Sequence, residues 1–260
     1  MRKILVTTIM SSLLVVTQSG YAKEDVTAPT ASEIKNTKIV TNPTKTEDTT
    51  SPLTGTFAIT TNDIFRGLSQ SNNLPAFQGG FTYTFATTGI YANLWGSNVS
   101  LLDKDGNTAT LEIDTIAGVT NTIGENFSYN VYFNRYNYPK AAGLNYNELI
   151  ADLSYYFVIG GIGYSNNVYD KGQYGTYYYL GVNYTIPPKY VFNFEDVAIK
   201  ATAAHYKLPN VAGHSYNDYL FQVSKTIGNY NLAVAWTDAC GAASPPLDGY
   251  HLIGTVTVSF

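Results

Sequence analysis

The stretch Tyr250-His251-Leu252-Ile253-Gly254-Thr255-Val256-Thr257-Val258-Ser259-Phe260 decides the fold. Successive side chains of an extended strand point to opposite faces. Tyr250, Leu252, Val256, Val258 and Phe260 therefore share one wall, and His251, Thr255, Thr257 and Ser259 share the other. A strand that is oily on one side, hydroxylated on the other and closed by an aromatic residue suits a membrane barrel. Lipid meets the first face and water the second.

The same period of two runs back through the chain to residue 54. Phe77, Phe81, Tyr83 and Phe85 alternate with Gln78, Gly80, Thr82 and Thr84. Phe127, Tyr129, Val131 and Phe133 alternate with Ser128, Asn130 and Asn134, and Tyr219, Phe221 and Val223 with Asp218, Gln222 and Ser224. The alternation predicts about twelve strands, near 54–62, 77–87, 89–97, 110–121, 125–138, 146–157, 158–165, 174–185, 195–207, 216–227, 230–238 and 249–260. Tight links are expected at 87–88, 121–124, 157 and 228–229, and longer ones at 63–76, 98–109, 139–145, 166–173, 208–215 and 239–248. Short turns on the periplasmic side and long loops outside are the outer-membrane arrangement, and an even strand count places both termini in the periplasm. The link through Pro187-Pro188 is long for a periplasmic turn.

Composition agrees. Charged residues make up 13% of the 260-residue chain, about half the roughly 25% of soluble domains. Mean hydropathy is nevertheless near zero, because Tyr, Thr, Asn, Ser and Gly replace the charges. Tyr occurs 23 times, against 15 for Lys and Arg combined. A net charge of −4 supplies no basic stripe for nucleic acid. Residues 1–22 read as a secretory signal peptide: Arg2 and Lys3, a short apolar run from Ile4 to Val16, then Gly20-Tyr21-Ala22 as the cleavage site. The following segment to residue 53, Thr-, Lys-, Glu- and Pro-rich over 23–51, has too little apolar surface to offset its ordering entropy and reads as a disordered periplasmic spacer. The expected organisation is signal peptide 1–22, spacer 23–53 and barrel 54–260.

The run Asn62-Asp63-Ile64-Phe65-Arg66-Gly67-Leu68-Ser69-Gln70 resembles the opening signature of a family of bacterial outer-membrane porins labelled TorF. Ala76-Phe77-Gln78-Gly79-Gly80, Gly89-Ile90-Tyr91-Ala92-Asn93-Leu94-Trp95-Gly96-Ser97-Asn98 and Leu111-Glu112-Ile113-Asp114 fit as well, as do Tyr136-Asn137-Tyr138-Pro139 and Asn145-Tyr146-Asn147-Glu148-Leu149. The likeness is strong over about 62–155 and compositional beyond. It implies an outer-membrane barrel and a pore, and it brings no catalytic residues.

The residues themselves point to no reaction. No zinc or nucleotide-binding motif appears, so no metal, cofactor or catalytic residue is expected. Cys240 is the single cysteine, which excludes an intramolecular disulfide framework. A lipid-cleaving barrel enzyme needs a hydroxyl nucleophile within reach of a histidine. The close pair here, His214-Ser215, is adjacent and in a loop. Gly79-Gly80 and Gly160-Gly161 lie in strands, where glycine marks bends or close packing.

Parity places Glu112, Asp114, Glu148, Asp152 and Lys200 on the polar faces, together with Asp196, and Arg66 just past the first strand where a loop can fold over the mouth. As pore-lining candidates these charges set ion preference; as a plug they pair with one another and fill a narrow lumen. Amides in place of Glu112, Asp114, Glu148 and Asp152 are expected to lower cation-over-anion preference and spare the fold. Phe260 is the candidate closure and assembly signal. Trp236, Tyr83, Phe85, Tyr155 and Tyr184 are candidates for interfacial girdles, and Trp95 falls on the polar face. The reading is an outer-membrane porin-like channel for ions or small polar solutes, weakly cation-preferring. The alternative is a non-conducting structural or adhesive barrel, with a lipid-modifying barrel enzyme behind it. Expected partners are outer-membrane lipid and lipopolysaccharide, the outer-membrane assembly machinery and the solutes themselves.

Overall fold

The computed structural model describes residues 52–85, 88–242 and 246–260. The signal peptide and the spacer over 23–51 lie outside them. Among the described residues fourteen strands follow in chain order: β1 (Leu53–Thr60), β2 (Ile64–Phe65), β3 (Leu68–Ser69), β4 (Ala76–Thr84), β5 (Ile90–Leu102), β6 (Thr108–Ile123) and β7 (Phe127–Asn137), then β8 (Tyr146–Tyr155), β9 (Val158–Ser165), β10 (Gly175–Ile186), β11 (Val197–Lys207), β12 (Tyr216–Ile227), β13 (Tyr230–Cys240) and β14 (Gly249–Ser259). Twelve of them, all except β2 and β3, form one closed antiparallel barrel in which sequence neighbours pair and β14 returns to β1. The alternation predicts this architecture, and each predicted strand overlaps an observed one.

The differences have local causes. β5 continues to Leu102 through a register shift between Asn98 and Leu101, so the link to β6 shrinks to 103–107. A bulge of this kind absorbs the break in alternation that reads as a loop in sequence. The link after β10 is indeed long: a 3-10 turn at Pro188–Tyr190 opens it, and Phe192, Asn193 and Asp196 have positive φ. Asp196 is exposed in this link, outside the strand, and so does not point inward. The remaining links alternate as expected. Short ones (124–126, 156–157, 228–229) lie at the end of the barrel where β1 begins and β14 finishes, and long ones lie at the other end.

The wall is inside-out relative to a soluble protein. Phe81 (54% exposed), Leu94 (54%), Leu149 (55%), Leu180 (65%) and Val234 (56%) face outward. Their strand neighbours inward are Asn93, Glu148 and other polar groups, which are buried. Tyr83, Phe85, Tyr155, Tyr184, Tyr230 and Phe260 are exposed near the short-link end, the position that an aromatic girdle takes in membrane barrels. Trp236 differs from expectation. It sits mid-strand opposite Phe221 and Leu252, within the apolar belt, because β13 runs on to Cys240. Among the described residues no helix is long and apolar enough to cross a membrane.

Candidate functional site

The site begins with six residues. Ile64 pairs with Ser69 and Phe65 with Leu68, leaving Arg66 and Gly67 as a two-residue turn. Their φ values are 51° and 82°, both positive, as the tight hairpin turn that matches strand twist requires. The base of this hairpin is tied down. Ser69 Oγ and Ser71 Oγ donate to Asn62 Oδ1 at 2.7 and 3.0 Å, and the Asp63 amide donates to Ser71 Oγ at 3.0 Å. Ser97 Oγ donates to Asp63 Oδ2 at 2.6 Å, joining the loop to β5. The Ser69 amide donates to the Leu247 carbonyl at 2.9 Å, joining it to the last loop.

From that base the tip crosses the lumen. A Cβ on Gly67 would lie 2.9 Å from the Cβ atoms of Asp218 on β12 and Ala239 on β13. Arg66 reaches the opposite wall, where Nη2 donates to Glu148 Oε2 at 2.7 Å, and the two side chains are 8% and 1% exposed. Tyr136 OH donates to the same carboxylate oxygen at 3.0 Å. The guanidinium carbon lies 4.2 Å from the Tyr177 ring centre and 4.5 Å from that of Tyr206. β9 makes room with glycine: a Cβ on Gly163 would sit 2.9 Å from Glu148 Oε1 and 3.0 Å from Arg66 Nη2.

Around the tip, tyrosines fill the long-loop half of the barrel. Tyr136 stacks on Tyr146 with ring centres 4.3 Å apart, and Tyr206 meets Tyr216 edge-on at 5.8 Å. Phe65 joins them, 5.9 Å from Tyr136. Below the hairpin a cavity of about 140 Å³ is bounded by Arg66, Asp152, Tyr179, Lys200 and Asp218. Tyr179 OH donates to Asp152 Oδ1 at 2.9 Å, and Tyr177 OH to Asp218 Oδ1 at 3.3 Å. The short-link half is lined by Asn93, Thr82 and Asn130, with Asn93 Nδ2 donating to Thr82 Oγ1 at 2.8 Å.

Glu112, Asp114, Glu148, Asp152 and Lys200 are all buried inside the barrel. Arg66, Glu148, Asp152 and Lys200 gather at the tip and the cavity; Glu112 and Asp114 stand apart on β6, where Asn134 Nδ2 donates to Asp114 Oδ2 at 2.9 Å. Trp95 is buried on the same side as Asp114, its cross-strand partner. Three groups escape the reading from sequence. Asp63 is hidden by its place just after a strand. Asp218 shares the polar parity of Gln222, which is the signal that finds it. The tyrosines around the tip, Tyr136 and Tyr206, share parity with Asn134 and Lys200, but tyrosine suits either face.

The histidines do not meet. His205 Nδ1 lies 2.8 Å from Asn217 Oδ1 on the exposed face, and the residue two along on that face is Lys207, which carries no hydroxyl. His214 is in the 208–215 loop and His251 is on β14, 3.1 Å from the Leu247 carbonyl.

A model of a family described as "Bacterial protein of unknown function (Gcw_chp)" matches residues 45–247. The chain belongs to the Gcw_chp family. That match carries no support for the TorF label, and the family description assigns no activity. No curated protein sequence matches this Gcw_chp chain. Among solved structures it is similar to a KdgM porin at 10% identity and TM-score 0.50, over 80% of this chain and 98% of that one. The KdgM porin in complex with disordered oligogalacturonate follows at 10% identity and TM-score 0.48, over 80% and 97%. Pseudomonas aeruginosa OprD matches at 12% identity and TM-score 0.39, over 80% and 66%. What this Gcw_chp protein shares with the KdgM porin is the fold.

The buried pair makes a stability prediction. Glu148→Ala leaves Arg66 charged, buried and without its carboxylate, which costs about 3–5 kcal/mol. Arg66→Met combined with Glu148→Met removes both charges and is expected to recover most of that loss. Urea unfolding of the detergent-folded barrel measures both; an alanine variant as stable as the parent contradicts the pairing.

Proposed function

We propose that this protein is an outer-membrane channel for ions or small polar solutes, with the Ile64–Ser69 hairpin as its constriction. One observation carries the reading: an apolar outer wall encloses an interior of buried charge. Among the described residues Asp63, Glu112, Asp114, Glu148, Asp152 and Asp218 are buried together with Lys200 and the largely buried Arg66, six carboxylates against two cations. A low-dielectric wall focuses the field of such charges along the lumen, which favours cations. The short-link end faces the periplasm, the girdle sits among outer-membrane lipid and lipopolysaccharide, and the barrel is inserted by the assembly machinery of that membrane. The likeness to porins supports this reading through fold alone.

Planar-bilayer recording of the purified protein tests it, with conducting steps expected. A second reading, the non-conducting structural barrel, draws on the hairpin and the tyrosine cluster that fill the long-loop half. Absence of conductance in the parent and in a variant whose hairpin tip, Phe65-Arg66-Gly67-Leu68, is replaced by two glycines favours that reading.

Selectivity has its own test. Replacing all four predicted carboxylates by amides no longer isolates charge, because Glu148 holds Arg66. Glu112→Gln, Asp114→Asn and Asp152→Asn together spare that pair and remove three charges of the six. Cation-over-anion permeability is expected to fall at least twofold, read from reversal potentials in a salt gradient. An unchanged ratio in a conducting variant removes these three from the ion path.

A further inference from the structure

Arg66 behaves as a bound cation tethered by its own chain. Three aromatic faces, Phe65 of the hairpin itself and Tyr177 and Tyr206 of the barrel wall, and the Glu148 carboxylate surround it. This combination suits a planar, delocalised, weakly hydrated cation better than a compact ammonium. The fit is incomplete. Arg66 Nη1 and Glu148 Oε1 are both buried without a hydrogen-bond partner, so only one arm of the two-armed guanidinium–carboxylate pair is formed. The turn at Arg66 and Gly67 dictates how the side chain enters, and a free ligand has no such constraint. The adjoining cavity of about 140 Å³ adds two acceptors, Asp152 Oδ2 and Asp218 Oδ2, both buried and without hydrogen-bond partners, set against one cation, Lys200.

We infer that the cage is a recognition site for small guanidinium solutes, which Arg66 occupies in their absence. A solute that takes Glu148 in both arms and packs against the two tyrosine rings, which stand at 82° to each other, displaces Arg66. The hairpin base stays fastened through Asn62, Asp63 and Ser69, while the tip loses its charged hold on the far wall. Recognition stands on the cage geometry. The consequence, that displacement widens the passage, rests on the channel reading.

Agmatine, an alkylguanidine, is the probe, titrated calorimetrically into the full detergent-folded protein. Arg66→Ala vacates the cage and is expected to bind agmatine at least tenfold more tightly than the parent. Adding Glu148→Gln to that variant should weaken binding at least tenfold again. Putrescine, with ammonium groups in place of the planar fork, should bind Arg66→Ala at least threefold more weakly than agmatine does. Equal agmatine affinity in the parent and Arg66→Ala overturns the inference, as does indifference to Glu148→Gln. Should Arg66→Ala fail to fold, Arg66→Gln vacates the guanidinium position with a side chain of closer length and carries the same expectations. Bilayer recordings separate the two claims. Agmatine binding without conductance in any variant removes the channel and keeps the site; conductance without agmatine binding removes the site and keeps the channel.

Discussion

Replacing Phe65-Arg66-Gly67-Leu68 by two glycines is expected to raise single-channel conductance at least tenfold. The substitution leaves Ile64 and Ser69 joined by a two-residue turn that glycine accommodates at positive φ. It keeps the base network of Asn62, Asp63, Ser69 and Ser71, so the loop stays attached at the rim. What disappears is everything that spans the lumen: the Phe65 ring against Tyr136, the Arg66 guanidinium on Glu148, and the close approach of Gly67 to β12 and β13. Glu148 then faces an aqueous path and adds to its cation preference. Planar-bilayer recordings of parent and variant at one salt concentration give the ratio. If conductance stays at the parent level, the wall tyrosines Tyr136, Tyr146, Tyr206 and Tyr216 close the passage by themselves, and the structural reading gains accordingly.

The barrel is legible in the sequence because lipid and water impose opposite demands on adjacent residues. Phe81 and Thr82, or Leu149 and Glu148, declare their faces by polarity alone, and twelve such strands repeat the statement. The same parity brings Glu112, Asp114, Glu148, Asp152 and Lys200 inside. It fails where the side chain suits both environments. Tyr177, Tyr178 and Tyr179 are identical in sequence, yet Tyr178 is 49% exposed on the outer wall while Tyr177 and Tyr179 hydrogen-bond to lumen carboxylates. Pairing register, with Tyr178 opposite His205, decides between them. The hairpin fails for another reason. Two pairs of strand residues are too few to show a period, and Arg66 adopts a left-handed conformation that only the following Gly67 hints at. That a loop covers the mouth is readable from Arg66; that it reaches Glu148, 82 residues away, is a matter of tertiary packing.

Deleting Phe260 is expected to abolish most of the folded, heat-modifiable protein, whereas Phe260→Ala is expected to lower it only in part. Two different interactions end at this residue. Its backbone completes the seam: the Phe260 amide donates to the Gly55 carbonyl at 3.0 Å, and the Gly55 amide donates back at 2.7 Å. These extend the β1–β14 register that runs from Thr60↔Thr255 to Thr56↔Ser259. Its ring lies over Gly55, where a Cβ would overlap it, and meets Phe81 edge-on at 6.1 Å. Deletion removes both, leaving the Gly55 donor and acceptor bare at the edge of the hydrocarbon, each at a cost of order several kcal/mol when no water replaces the partner. Alanine keeps the two hydrogen bonds and loses only the ring, about 0.5–1 kcal/mol for an aromatic that is 64% exposed. Phe260→Tyr keeps both and places its hydroxyl toward the membrane interface, so it should assemble like the parent. Cold and heated samples compared by gel mobility give the folded fraction for all three. If deletion and alanine behave alike, the ring as a recognition element dominates; if deletion assembles like the parent, the seam is closed without residue 260 and Phe260 has no part in assembly.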